Sequence, residues 1–151
     1  MRNRSTITAV IFCGLAAMGI SACGGDSTGL GNGNGNADIA GTYSLASVAD
    51  GAAGAKTLPA SFPTAGGATT FASGTLTIAA NGTYTMTGPY TAGTVNLKLD
   101  DNGTFTRSGS GITLTGQFDP VSGTIDGSAI SLNMRVTTVI PRGAFTFVFR
   151  K

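Results

Sequence analysis

SGTLTIAANGTYTMT, residues 73–87, reads as two extended strands folded back on each other. Thr75 and Thr77 alternate with Leu76 and Ile78, and on the return Thr83, Thr85 and Thr87 alternate with Tyr84 and Met86. A period of two puts the apolar residues on one face of a pleated chain and the hydroxyls on the other. Threonine suits such a position because its branched side chain is stiff and packs well on a pleated surface. Between the runs stands Asn81-Gly82, a dipeptide that supplies the positive φ a tight hairpin demands.

The same grammar extends in both directions. Upstream, Ile39, Gly41, Tyr43 and Leu45 share one face, Thr42 and Ser44 take the other, and Asp50-Gly51 marks a turn. Residues 52–70 are Ala, Gly, Pro and Thr around Leu58 and Phe62, which predicts one short strand near Lys56–Leu58 and then a loop, either a plain surface loop or a lid beside a barrel mouth. Downstream, 93–99 carries Val95, Leu97 and Leu99, Asp100-Asp101-Asn102-Gly103 is expected to turn the chain, and 104–108 returns around Phe105. A strand with Ile112 and Leu114, reaching toward Phe118, precedes a turn at Asp119-Pro120, and a short strand follows at 124–126. Ile130, Leu132 and Met134 then alternate with polar residues. Beyond Pro141 and Gly143 the chain closes on Phe145, Phe147 and Phe149, with Arg150-Lys151 at the end. The phrases Ser73-Gly-Thr, Asn81-Gly-Thr, Asn102-Gly-Thr and Ser122-Gly-Thr recur at uneven spacing, so they are reused hairpin grammar and not a radial repeat. Asn81 and Asn102 also fit an N-glycosylation pattern, but the turn chemistry explains them.

No amphipathic helix is predicted. Eight to ten short strands in series leave two exposed edges unless the sheet closes on itself, and the apolar first and last strands favour pairing with each other. The expected fold is therefore all-β, a small up-and-down antiparallel β-barrel of about eight strands over residues 38–151. A β-sandwich is the alternative, although its crossovers need longer connections than most of these turns provide.

Composition narrows the chemistry. The chain has no His and no Trp, and all seven acidic residues are Asp. Without His, Ser-His and Cys-His nucleophile pairs and the usual zinc sites are excluded. Asp100, Asp101, Asp119 and Asp126 read as turn residues, so the expectation is no enzyme, no metal and no cofactor. Asp100–Gly103 lacks the alternating ligands and closing Glu of a calcium loop. Of nine basic residues two, Arg2 and Arg4, stand at the extreme N-terminus, so the rest balance the seven acidic ones and no basic run points to nucleic acid.

Those two arginines precede an apolar run from Ile7 to Ile20, the layout of a secretory signal and too short for the about 20 residues of a membrane span. Ile20-Ser21-Ala22-Cys23 resembles the lipobox of bacterial lipoproteins. That resemblance implies that 1–22 is a cleaved lipoprotein signal peptide and that Cys23 becomes an N-terminus acylated with palmitate-class chains. The alternative is an ordinary secreted protein cut by the general signal peptidase. Cys13 fails the same test, because Phe12 precedes it. Residues 23–37, rich in Gly and Asn, are expected to form the lipidated N-terminus and a flexible tether. A phosphate-binding loop there would need a following Lys and a preceding strand. Gly24 after the cysteine, where aspartate would retain such a protein at the inner membrane, implies the periplasmic side of the outer membrane in a proteobacterial envelope.

Gly41-Thr42-Tyr43, Leu58-Pro59, Ser73–Thr77, Asn81–Tyr84 and the ending Phe147–Lys151 together resemble the lipocalin-like domains of small bacterial lipoproteins. The resemblance implies that Tyr43 stands where true lipocalins carry a Trp, and that Arg150 is the cation covering it to close one barrel end. Two readings of function follow. In the first, an inward face of Tyr43, Leu76, Ile78, Tyr84, Met86, Leu97, Phe105, Phe145 and Phe147, with Ile130 and Leu132, holds a small hydrophobic ligand. In the second, the same side chains simply fill the interior, and a membrane-anchored structural or interaction lipoprotein meets another envelope protein through its outside.

Overall fold

The computed structural model describes residues 35–51, 53–64, 67–117, 120–136 and 143–151. Among them there is no helix. Eleven strands follow in order: β1 (Gly41–Asp50), β2 (Gly54–Thr57), β3 (Ala60–Thr64), β4 (Gly67–Phe71), β5 (Thr75–Ile78), β6 (Thr83–Ala92), β7 (Val95–Ser108), β8 (Gly111–Thr115), β9 (Val121–Asp126), β10 (Ala129–Val136) and β11 (Gly143–Arg150).

Eight of these close a barrel. From β5 to β11 each strand pairs antiparallel with the next, and β1 joins the ends by pairing with both β11 and β5. This is the up-and-down closure expected, and no free edge is left at the seam where first and last strands meet. Val48 opposite Phe147 and Leu45 opposite Phe149 place that seam on apolar pairs.

The remaining three strands widen one end. β5 pairs only with the first half of β1, at Gly41–Ser44; the second half, Ser47–Asp50, pairs with β2. Across the seam, β5 holds β6 at Tyr84–Thr87 and β4 holds it at Tyr90–Ala92. The hairpin of β3 and β4 and the short β2 are thus a wedge between β1 and β6, present at the far end of the barrel and absent from the end where β1 begins. Pro89 falls where β6 changes partner from β5 to β4, so its missing N–H leaves no gap in a ladder.

Local departures from strict alternation have visible causes. β1 carries a bulge between Leu45 and Ser47, and the extra residue moves the inward face from Tyr43 and Leu45 to Val48. Within the loop expected up to Thr70, Ala60–Thr64 forms β3 and Gly67 begins β4, which ends at Phe71, because Phe62 and Phe71 find aromatic partners inside the barrel. Pro63 is tolerated there because, among the described residues, β3 has a strand partner on one side only.

Asp100–Gly103 does not turn. It lies within the 14-residue β7, and the reversal occurs earlier, where Gly93 has a φ of +61°. The two Asn-Gly pairs part company for a physical reason. Gly82 has a φ of +86° and its amide closes the turn onto the Ala79 carbonyl, while Asn81 Oδ1 accepts from the Thr83 amide at 3.1 Å. Gly103 is extended and pairs with Tyr84; it is glycine because a β-carbon there would meet the Thr115 carbonyl. Cys23 and the signal, most of the tether, Phe118, Asp119 and Pro141 lie outside the described residues.

Candidate functional site

The inward face is where function was expected. Every second residue of each barrel strand points inward, and on β6 this gives Tyr84, Met86, Tyr90 and Ala92. Tyr43, Leu76, Ile78, Tyr84, Met86, Phe105, Phe145 and Phe147 are all buried in one cluster with Ile112, Leu114, Ile130, Leu132 and Phe149. Leu97 is only half-buried and packs on the margin of that cluster. A side chain lining a ligand-sized void keeps surface that a water molecule can touch, whether the void is open or closed. Leu76, Ile130, Leu132 and Phe147 are 0% exposed, so around them the barrel is filled by its own side chains.

At the far end the filling is aromatic. The ring of Phe71 lies 5.0 Å from Phe147, 5.3 Å from Phe145, 5.6 Å from Tyr90 and 6.4 Å from Phe62. Most of these contacts are edge-to-face, the arrangement that the ring quadrupole favours. Lys56 Nζ sits 4.7 Å from the Phe62 ring and donates to the Ser61 carbonyl at 2.5 Å, tying β2 to β3 where the two share no ladder. Sequence reasoning missed Phe71 and Tyr90. Tyr90 had a signal, since it continues the parity of Tyr84 and Met86 along one strand.

The near end is closed by the chain that enters it. Ile39 is buried, and the Tyr43 hydroxyl donates to its carbonyl at 2.6 Å. Arg107 Nη1 donates to both carboxylate oxygens of Asp38, at 2.6 and 2.8 Å, and also to the Gly35 carbonyl. That hydrogen-bonded guanidinium holds the exposed Asp38 carboxyl below the usual carboxylate range. The cation over Tyr43 is Lys151, with Nζ 5.0 Å from the ring centre and 2.9 Å from the Ala40 carbonyl it donates to. Arg150 pairs in register with Ser44 and Ala129 and is exposed. Strand parity explains the one-residue difference. Phe149 points inward, so Arg150 must point outward, and only the residue past the end of β11 can fold over the rim.

A buried carboxyl interrupts the apolar face. Asp101 is 2% exposed, accepts from the Tyr84 hydroxyl at 2.6 Å through Oδ2 and from the Gln117 amide at 2.9 Å through Oδ1. Burial first, and then the carboxyl beside it, push the Tyr84 phenol well above its ordinary value. Gly116 makes this possible, because a β-carbon there would meet the Tyr84 hydroxyl, Asp101 Oδ1 and the Asn102 carbonyl. The pair pins the bend after β8 to the barrel wall. Asp100 meanwhile makes an exposed ion pair with Lys98 at 2.8 Å.

Comparison of the chain with protein-family models, with curated proteins and with solved structures found no match. The eight-strand antiparallel barrel is consistent with a lipocalin-like fold.

Proposed function

We propose that this protein is a membrane-anchored lipoprotein of a bacterial cell envelope whose lipocalin-like barrel acts through its outer surface, with no catalytic role and no cofactor. Acylated Cys23 is the anchor, residues 23–37 are the lipidated N-terminus and tether, and the outer membrane, facing the periplasm, is the location. The observation that carries the surface reading is the filled interior: the aromatic side chains that would face a ligand face one another instead. Support for the anchor comes from the order of the N-terminal residues, basic, apolar, small and then Cys23. Long acyl chains at about 0.8 kcal/mol per buried CH₂ hold such a protein on the bilayer when more than one is attached.

Feeding labelled palmitate to cells expressing the full chain tests the anchor. The wild type takes up label and stays with the membrane fraction, and Cys23→Ala does neither; label retained by Cys23→Ala contradicts the proposal.

A second reading, a small apolar ligand at the far end, rests on a different observation. Val95, Leu97 and Leu99 continue the inward parity of β7 and yet are incompletely covered, Val95 being 46% exposed. This is the part of the barrel where an apolar molecule would find uncovered surface.

A further inference from the structure

We propose that the free edge of β7 pairs with the same edge of a second copy of this chain, antiparallel and centred on Leu99. Along Thr104–Ser108, β7 lies between β6 and β8, but along 95–103 its strand partner among the described residues is β6 alone. The bend after β8 covers the end of that run, where the Gln117 amide reaches Asp101 and Gly116 lies against Gly103. Among the described residues, 95–100 have no strand partner on that second side. An edge of this kind is a template for another strand unless proline, a bulge or unmatched charge blocks it. This one has no proline and no bulge, and its two charges are of opposite sign.

The register follows from those charges. A two-fold axis through an antiparallel pair keeps the inner faces on one side, so residues facing each other share parity and the axis passes beside a single residue. Centring on Lys98 or on Asp100 sets like charges against each other, which destabilises a pair of strands. Centring on Leu97 leaves Lys98 facing Asn96. Centring on Leu99 sets Lys98 of each copy against Asp100 of the other, twice, and Leu99 against Leu99, on a self-complementary patch as closed two-fold assembly requires; residues 95–97 would then face 101–103, where the bend after β8 stands, so the ladder is confined to residues 98–100. Within one chain Lys98 and Asp100 already lie on the same outward face, with side chains 62% and 57% exposed. An ion pair that open to water contributes little, so re-partnering it costs little. The proposal stands on the sheet edge and holds whether or not Cys23 carries lipid.

Disulfide trapping in the full chain tests it. Facing Cα atoms in an antiparallel pair are about 4.5–5.5 Å apart, inside the roughly 4.4–6.8 Å that a disulfide spans. Leu99→Cys should give an oxidised dimer on a non-reducing gel, against the wild type as blank. Leu97→Cys, which would face Asp101, should not. Adding Lys98→Asp to Leu99→Cys should cut the dimer band at least about tenfold by placing like charges face to face, and adding Asp100→Lys as well should restore it. Equal bands from Leu97→Cys and Leu99→Cys, or a band indifferent to charge reversal, would overturn the proposal. Should Leu99→Cys fail to fold, sedimentation of the detergent-purified full chain decides. The wild type should be dimeric at high concentration and Lys98→Asp monomeric; a wild type that is monomeric throughout overturns it.

Discussion

Asp101 is the residue at which local chemistry and tertiary structure disagree most. In Asp100-Asp101-Asn102-Gly103 every residue type favours a turn, yet Asp101 lies inside a strand with its carboxyl buried. Its partners, the Tyr84 hydroxyl and the Gln117 amide, come from 17 and 16 residues away, and nothing in the tetrapeptide announces them. Removing the hydroxyl by Tyr84→Phe leaves a buried carboxyl short of a partner, at a cost of about 1–3 kcal/mol. Urea unfolding at neutral pH should show that loss. The same bond carries a pH signature. The folded-state pKa of Tyr84 is raised above its unfolded value of about 10, so the folded form holds the proton longer than the unfolded form does. The stabilisation is therefore complete below about pH 10 and declines as pH rises beyond it. Unfolding midpoints measured from neutral to strongly alkaline pH should fall more steeply for the wild type than for Tyr84→Phe. A parallel fall in Tyr84→Phe would mean that the phenol is not the group involved.

Among elements, the hairpin of β5 and the first half of β6, as far as Thr87, was legible because each of its signals is local: alternation, branched hydroxyl residues and a turn dipeptide. The last strand, with Phe145, Phe147 and Phe149 on one face, was legible for the same reason. β3 and β4 were not. Their sequence, ASFPT and GATTF, holds one aromatic each, and they exist as strands because Phe62 and Phe71 dock on Phe145 and Phe147 from the far end of the chain. The length of β7 was hidden as well, since Gly103 is read as a turn signal unless the Thr115 carbonyl it accommodates is known. Phe71 is the residue that ties the wedge to the barrel, touching four other rings. Phe71→Ala should cost about 3–5 kcal/mol, as large-to-small aromatic changes in packed cores do. Thermal unfolding of the full chain is the measurement, and a shift no larger than that of a surface substitution would show that the wedge is not packed as described.

At the scale of the whole molecule the barrel has two unlike ends. Where β1 begins, the entering chain, Arg107 and Lys151 close it; at the far end three added strands are packed shut by aromatic rings. Among the described residues the chain enters at the closed end, and the far end and the open edge of β7 lie away from that entry. Closure of the sheet and the identity of most interior residues could be read from alternation. Whether the interior was full could not, because that depends on side-chain volumes meeting across strands remote in sequence. That fullness separates a barrel that works through its surface from one that carries a ligand. Native mass spectrometry of the full chain, purified from expressing cells and freed of detergent, tests it directly. The mass should equal that of the covalent chain, or a whole multiple of it, and nothing more. A stoichiometric noncovalent apolar adduct, lost on unfolding, would contradict it and make the barrel a carrier.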